Sequence, residues 1–328
     1  MSDRTDVVDA IEANDAAKLL RIVDGMCTAR DWDDLVELAA RCRHALDRGK
    51  QLWGVAYHAD YRLALEAPGS YAAAVATTGG GGFTLGPLTE VAAASHEWSE
   101  LDEFLAPGTV RTLIAQERVV HGEDLSGISG VDSRLMDIPL RLAGWETAYA
   151  TAAYRSDRAN HPTPLTPTLS AVDLPEAGPI LDHPDETDAL LALTETWTTE
   201  SNGRSEAVVA EGDALAAIAA LGPRRVRIGE LSLDQAMAWM GWAAASGGAH
   251  GKRPGAAAGR FAAWWAAAAL CDLLDPWPPE TDELGKAGAS LRWYLWDDLA
   301  PATGWILRLA AEDPEHGLAW AVSATDAE

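Results

Sequence analysis

Two short stretches of the chain hold residue types that could bind or transform a small charged molecule. The run "SGGAHGKRPGAAAGRFAAWW" (246–265) places Lys252, Arg253 and Arg260 on and just after a glycine-rich loop with no acid among them. Gly247, Gly248 and Gly251 permit positive φ and close approach of backbone to a ligand, and Pro254 suits the first turn of a following helix. A helix start presents N–H groups without intrahelical partners at the positive end of the dipole. The spacing therefore predicts an anion site built from Gly248, His250, Lys252, Arg253 and Arg260. The competing reading is packing: Gly255, Gly259, Ala262 and Ala263 form a small-residue stripe, and Phe261, Trp264 and Trp265 fill a core. The second stretch, "TESNGRSE" (199–206), offers Arg204 as a bidentate grip on a carboxylate or phosphate, with Asn202 beside it. Glu206 and His250 are the candidate acid or base, and plain helix termination at Asn-Gly is the alternative.

Other chemistries find less footing. The glycine-rich loop lacks the Gly-Lys-Ser/Thr ending of a phosphate-binding P-loop, and no Gly-x-Ser-x-Gly nucleophile elbow occurs. Cys27, Cys42 and Cys271 share no short spacing, so the expectation is reduced core thiols and no zinc site. Glu117 and His121 stand one helical turn apart, as half a metal site would, but no second pair has that spacing; a surface ion pair is the expected outcome. Neither a metal nor a cofactor is expected.

These residues sit in a chain of 328 residues, 48% hydrophobic, with a formal net charge of −25 from 50 acids and 25 basic residues. The acids are spread along the sequence, which describes a solvated surface that repels nucleic acid and anionic membrane. The opening "MSDRTDVVDAIEAND" has no apolar segment behind a basic start, and the most apolar window, "FAAWWAAAALCDLL", suits a buried helix better than a membrane span. A soluble cytoplasmic protein is expected.

The elements that must position the two stretches fall into an α+β arrangement. Residues 1–125 read as consecutive helices, among them "DWDDLVELAARCRHAL" behind an Asp31 cap and "LWGVAYHADYRLALEA" ending before Pro68. "ARDWDDL" and "SHEWSEL" echo one another, which predicts a helical solenoid of the HEAT or tetratricopeptide kind, with an irregular bundle as the alternative. Gly79–Gly82 reads as a flexible break. Residues 126–185, rich in proline and turn formers, read as an extended connector. Residues 186–328 form the mixed domain. "EAVVAEGDALAAIAALG" reads as a strand and then a helix capped by Asp213, with one helix broken at Gly212 as the alternative, and "LSLDQAMAWMGWAAASGG" as a helix opened by a Ser232–Gln235 capping box and closed at Gly247. "LRWYLWD", "GWILRLAAED" and "GLAWAVSATD" alternate as three antiparallel strands of a C-terminal sheet.

The pieces "LRLAGWETAY", "ESNGRSEAV", "SGGAHGKRPGAAAGRFAAWW" and "TGWILRLAAEDPEHGLAWAVSA" resemble segments of a family of uncharacterised proteins from high-GC actinobacteria. The resemblance is closest after Leu140 and implies no catalytic residues. Two functions stay open. One is an interaction or ligand-sensing protein, whose helical half binds a protein partner and whose loop takes an anion. The other is an enzyme for a small anionic or phosphorylated metabolite at the same loop.

Overall fold

The computed structural model describes residues 4–78, 84–301 and 303–327; the predicted break at Gly79–Gly82 lies outside them. The chain forms two compact units. One gathers the chain up to Arg118 with Gly127–Leu135 and Ala152–His161; the other gathers Val119–Ser126, Met136–Thr151 and everything from Pro162 onward. The proline-rich stretch expected as a connector is thus shared out between the two cores. Its aromatics and turns give each core something to bury.

The helical unit runs α1 (Arg4–Glu12), α2 (Ala16–Ala29), α3 (Trp32–His44), α4 (Trp53–Glu66), α5 (Gly69–Thr78), α6 (Leu88–Ser95), α7 (Trp98–Leu101) and α8 (Thr109–Val120), the last crossing out of the unit at its end. The Asp15 carboxylate caps α2 by accepting from the Lys18 amide at 2.8 Å. α4 packs against α2, α3, α5 and α6, so the helices surround a central one instead of stacking pair upon pair. The echoed motif marks two helix starts: Trp32 and Trp98 each follow an acid at the cap position, and Leu35 and Leu101 are both fully buried. The first opens thirteen helical residues and the second only four. A shared start signal is therefore not a shared repeat. A small ribbon, β1 (Ala153–Tyr154) with β2 (Ala159–Asn160), completes the unit; Tyr154 donates to the buried Glu90 carboxylate at 2.7 Å.

Central α4 carries buried charge. Arg62 donates to Asp24 at 2.5 Å and to Glu66 at 2.7 Å, and Asp60 pairs with Arg43. Burial holds His58 on α4 and His96 after α6 below the ordinary histidine pKa. The folded unit then resists taking protons that the unfolded chain accepts readily near pH 6.5. Stability contributed by these neutral rings is present above that value and declines as pH falls from there through the lower folded values. Melting curves of the wild type at pH 7.5 and 5.5 should separate, with the acid sample lower. A His58→Gln, His96→Gln double variant should close most of that gap.

The sheet unit has seven strands in the order β3-β6-β7-β8-β9-β5-β4: β3 (Ser170–Asp173), β4 (Ile180–Leu181), β5 (Arg204–Glu211), β6 (Arg225–Leu231), β7 (Arg292–Asp297), β8 (Trp305–Asp313) and β9 (Leu318–Asp326). Every pairing is antiparallel. The three predicted C-terminal strands are its centre, flanked by the expected β5 on one side and by β6 on the other. Alternation sorts the side chains. Leu307, Leu309, Trp320 and Val322 join one core with the helices α9 (Pro184–Ala192), α10 (Glu195–Thr199), α12 (Leu233–Ala245), α13 (Ala256–Leu270) and α14 (Thr281–Ser290). Val208, Ala310, Ala319 and Ala321 join a smaller core on the other face under α11 (Ala214–Ala220). α11 starts as predicted: Gly212 takes φ 121° and the Asp213 carboxylate accepts from the Ala216 amide at 2.9 Å. The capping box of α12 forms too, with Ser232 N donating to Gln235 Oε1 at 3.0 Å. Its end differs from expectation. Ser246 leaves the helix in extended form, and Gly248, at φ 67°, takes the left-handed position instead of Gly247.

Candidate functional site

The two chemistry-bearing stretches do meet. The loop after α12 lies on the turn after α10: the His250 amide donates to Ser201 Oγ at 3.2 Å and the Lys252 amide to Glu200 Oε2 at 2.9 Å. The Ala249 amide donates to Asp326 Oδ2 at 2.7 Å, and Gly251 N to Gly247 O at 2.9 Å. Those bonds occupy the loop amides from Ala249 to Lys252, which the expected anion site would have drawn on. Chain oxygens already sit where the anion would be.

The charged side chains also part company. Arg204 and Glu206 alternate with Ser205 and Ala207 along β5, so they share the sheet face of Val208 and Ala210, and both are exposed. Ser205, on the other face, bonds Thr194 Oγ1 at 2.9 Å. Asn202, His250 and Lys252 are exposed; Gly248 and Arg253 are half-buried, and Arg253 is engaged. Arg260 is farthest from expectation. Its side chain and that of Glu146 are both 0% exposed, and Arg260 Nε and Nη2 reach the two carboxylate oxygens at 2.8 and 2.9 Å. Nη1 and Nη2 also donate to the carbonyls of Pro139 (2.8 Å) and Arg141 (2.9 Å). Trp264 Nε1, Tyr149 OH and the Ala143 amide complete the carboxylate's shell at 2.8, 2.9 and 2.8 Å. Burial alone would raise the Glu146 pKa, but the hydrogen bonds and charge of Arg260 outweigh it and hold the carboxyl below the ordinary glutamate value. Tyr149, buried beside that carboxylate, is pushed well above the ordinary tyrosine value.

The pair has an outer side. The backbone that Arg260 and Glu146 hold, 139–144, is the floor of a cleft of ≈ 370 Å³. Around its rim stand Glu123, Asp124 and Asp282 with Arg141, and Thr281 opens α14 there. Trp145 ties the two walls together: its ring lies 5.2 Å from that of Trp264, and its Nε1 donates to Thr281 O at 2.9 Å. The Ser126 hydroxyl and amide, outweighing burial and helped by Arg141, hold Asp124 below the ordinary aspartate value. Such a cleft offers both carboxylates to a cation and a guanidinium to a carboxylate. Sequence reasoning passed over Arg141, Glu146 and Asp282. The available signal was Glu146 itself, an acid between Trp145 and Tyr149 in an apolar segment, which needs a buried partner.

Among the described residues no group of three or more His, Cys, Asp or Glu is placed to hold a metal ion, and no helix is long and apolar enough to cross a membrane. All three cysteines are free thiols; burial raises Cys27 and Cys42 to about 11 and Cys271 to about 12.

Fold and site together define a two-unit α+β protein with an antiparallel sheet, whose polar cleft is supported from within by a buried ion pair. The chain belongs to the family of unknown function DUF6183, whose model matches residues 17–328. Comparison with curated proteins and with solved structures finds no match.

Proposed function

We propose that this is a cytoplasmic, non-catalytic interaction protein that responds to a small amine-bearing molecule, a free amino acid being the simplest that fits. The cleft over the Arg260–Glu146 pair carries this reading. Its ≈ 370 Å³ falls in the range of small-ligand sites, and its lining includes three carboxylates and one guanidinium. A zwitterion would place its ammonium against Asp124 and Asp282 and its carboxylate against Arg141. The acidic surface favours the approach of the ammonium end. The helical unit supplies a partner surface, for which Val8, Leu20, Val36 and Leu46, exposed along its first helices, are the candidate contacts. The enzymatic alternative draws less support, because Glu206 is exposed on the sheet face that carries Val208 and Ala210, while His250 belongs to the loop on the opposite side of the sheet.

The test is a thermal-shift and calorimetric titration with L-lysine and glycine. Ligand that binds only the folded state stabilises it by RT ln(1 + [L]/Kd), about 2.7 kcal/mol at a hundredfold excess over Kd. Melting should therefore rise with concentration in the wild type. An Asp124→Asn, Asp282→Asn double variant, altered only at exposed carboxylates, should lose the rise. A flat response in the wild type, or an equal one in the variant, removes the cleft from consideration.

A further inference from the structure

A second place in the sheet unit, separate from the cleft, holds a group that the fold leaves without a partner. Asp326, the last residue of β9, is 1% exposed. Its Oδ2 accepts from the Ala249 amide, while Oδ1 is buried and has no hydrogen-bond partner among the described residues. A buried carboxylate oxygen taken from water without a donor is destabilising, and folded chains rarely leave one so. Around it lie aromatic rings. Trp305 is the cross-strand neighbour of Asp326, and Trp197 lies beside Gly248, where an added Cβ would run into Asp326 Oδ2 and come within 3.2 Å of the indole. Trp242 stacks on Trp305 at 5.1 Å, and Trp197 stands edge-on to Trp242 at 6.1 Å. The Trp242 indole N–H is also buried and has no hydrogen-bond partner among the described residues. Ring faces attract a cation through their quadrupole, more strongly when it is desolvated.

We infer that Asp326 Oδ1 and the indoles of Trp197, Trp242 and Trp305 receive an alkylammonium group. Its N–H donates to Oδ1, and its methylenes and charge lie against a ring. The sign is opposite to the one the lysine and arginines of this loop predict from sequence, because the leftover group is an acceptor and the loop's donors are used. A quaternary ammonium satisfies the rings but not Oδ1; an alcohol satisfies Oδ1 but brings no charge. Entry lies at the rim, where Gly248, Ala249 and Trp305 are only half-buried. The loop there is tethered through Ser201, Glu200 and Asp326, so its opening requires these hydrogen bonds to give way. An alkylammonium can belong to a free amine or to a lysine side chain of another protein.

The experiment titrates the full chain with n-propylammonium, tetramethylammonium and n-propanol, and with the peptide Gly-Lys-Gly, following heat and tryptophan fluorescence. Propylammonium should bind saturably and perturb the fluorescence, with the other two small probes weaker by roughly tenfold or more, the size expected when a charge-assisted hydrogen bond is lost. Asp326→Asn keeps an oxygen for Ala249 and should weaken propylammonium binding similarly. Trp305→Leu, at a half-buried position, should weaken it without touching the carboxylate. Binding of either the free amine or the peptide supports the site, and the tighter of the two assigns the source. Three outcomes overturn the inference: no saturable binding of any amine, n-propanol binding as well as propylammonium, or binding unchanged by both variants. If binding instead disappears in the Asp124→Asn, Asp282→Asn variant and survives Asp326→Asn, the amine sits in the cleft, and this second site is refuted while the cleft stands.

Discussion

Replacing Glu146 by alanine should remove about 3–5 kcal/mol from the stability of the sheet unit, the usual consequence of stranding one partner of a buried ion pair. The reasoning turns on Arg260, not on the attraction lost. Its guanidinium is 0% exposed, and after the change it keeps neutral acceptors such as the carbonyls of Pro139 and Arg141 but loses the carboxylate that balances its charge. Trp264 Nε1 and Tyr149 OH lose their partner in the same step. Urea unfolding followed by tryptophan fluorescence would show a lower midpoint with an unchanged slope. A Glu146→Leu, Arg260→Met double variant should be less damaged than Glu146→Ala, because no charge is left behind. If the single alanine costs under about 1 kcal/mol, the network is not the support described. Acid gives a second check. A glutamate held below its ordinary pKa contributes stability that is fully present above the unfolded value, about 4.3, and is lost as pH falls through the folded value. The wild type should therefore weaken below pH 4.3 more steeply than a variant in which Glu146 and Arg260 are both apolar.

The same residues explain how far the sequence could be read. Elements with a local cause were legible. Asp213 at the start of α11, the Ser232–Gln235 box and the alternation through β8 and β9 need only their near neighbours to form. The 199–203 turn and the 246–252 loop do meet, but what fills the loop was not legible. Ser201 and Asp326 lie 49 and 77 residues from the amides they accept from, and nothing in the local pattern marks them as acceptors. Arg260 misled for a related reason. A cation on a small-residue helix reads as exposed, and only its distant carboxylate, 114 residues away, makes burial tolerable. The outer strands β3 and β4 were missed because edge strands of two to four residues among prolines carry too little alternation to register.

The small-residue stripe, offered at first as the plainer reading of the 255–263 run, leads to the second large effect. In most exposed helix interiors glycine to alanine is stabilising by roughly 0.5–1 kcal/mol. At Gly259 the sign should reverse. There α13 crosses α12 so closely that a Cβ would run into the Gly241 carbonyl and lie 2.8 Å from the Ala245 Cβ and 3.0 Å from its amide. These are backbone atoms and a methyl with no rotamer to escape into, so one helix must shift bodily. Overpacking of this kind typically costs 1–3 kcal/mol, and the upper part of that range is expected for Gly259→Ala. The next residue is Arg260, so a displaced α13 also pulls the guanidinium off Glu146 and disturbs the floor of the cleft. Gly25, in the middle of α2 with nothing within 4 Å of an added Cβ, is the matched control, and Gly25→Ala should raise the melting temperature. Differential scanning calorimetry on the two variants decides the matter. Were Gly259→Ala as stable as Gly25→Ala, the α12–α13 contact would be looser than drawn, and the close approach that seats Arg260 on Glu146 would have to be abandoned with it.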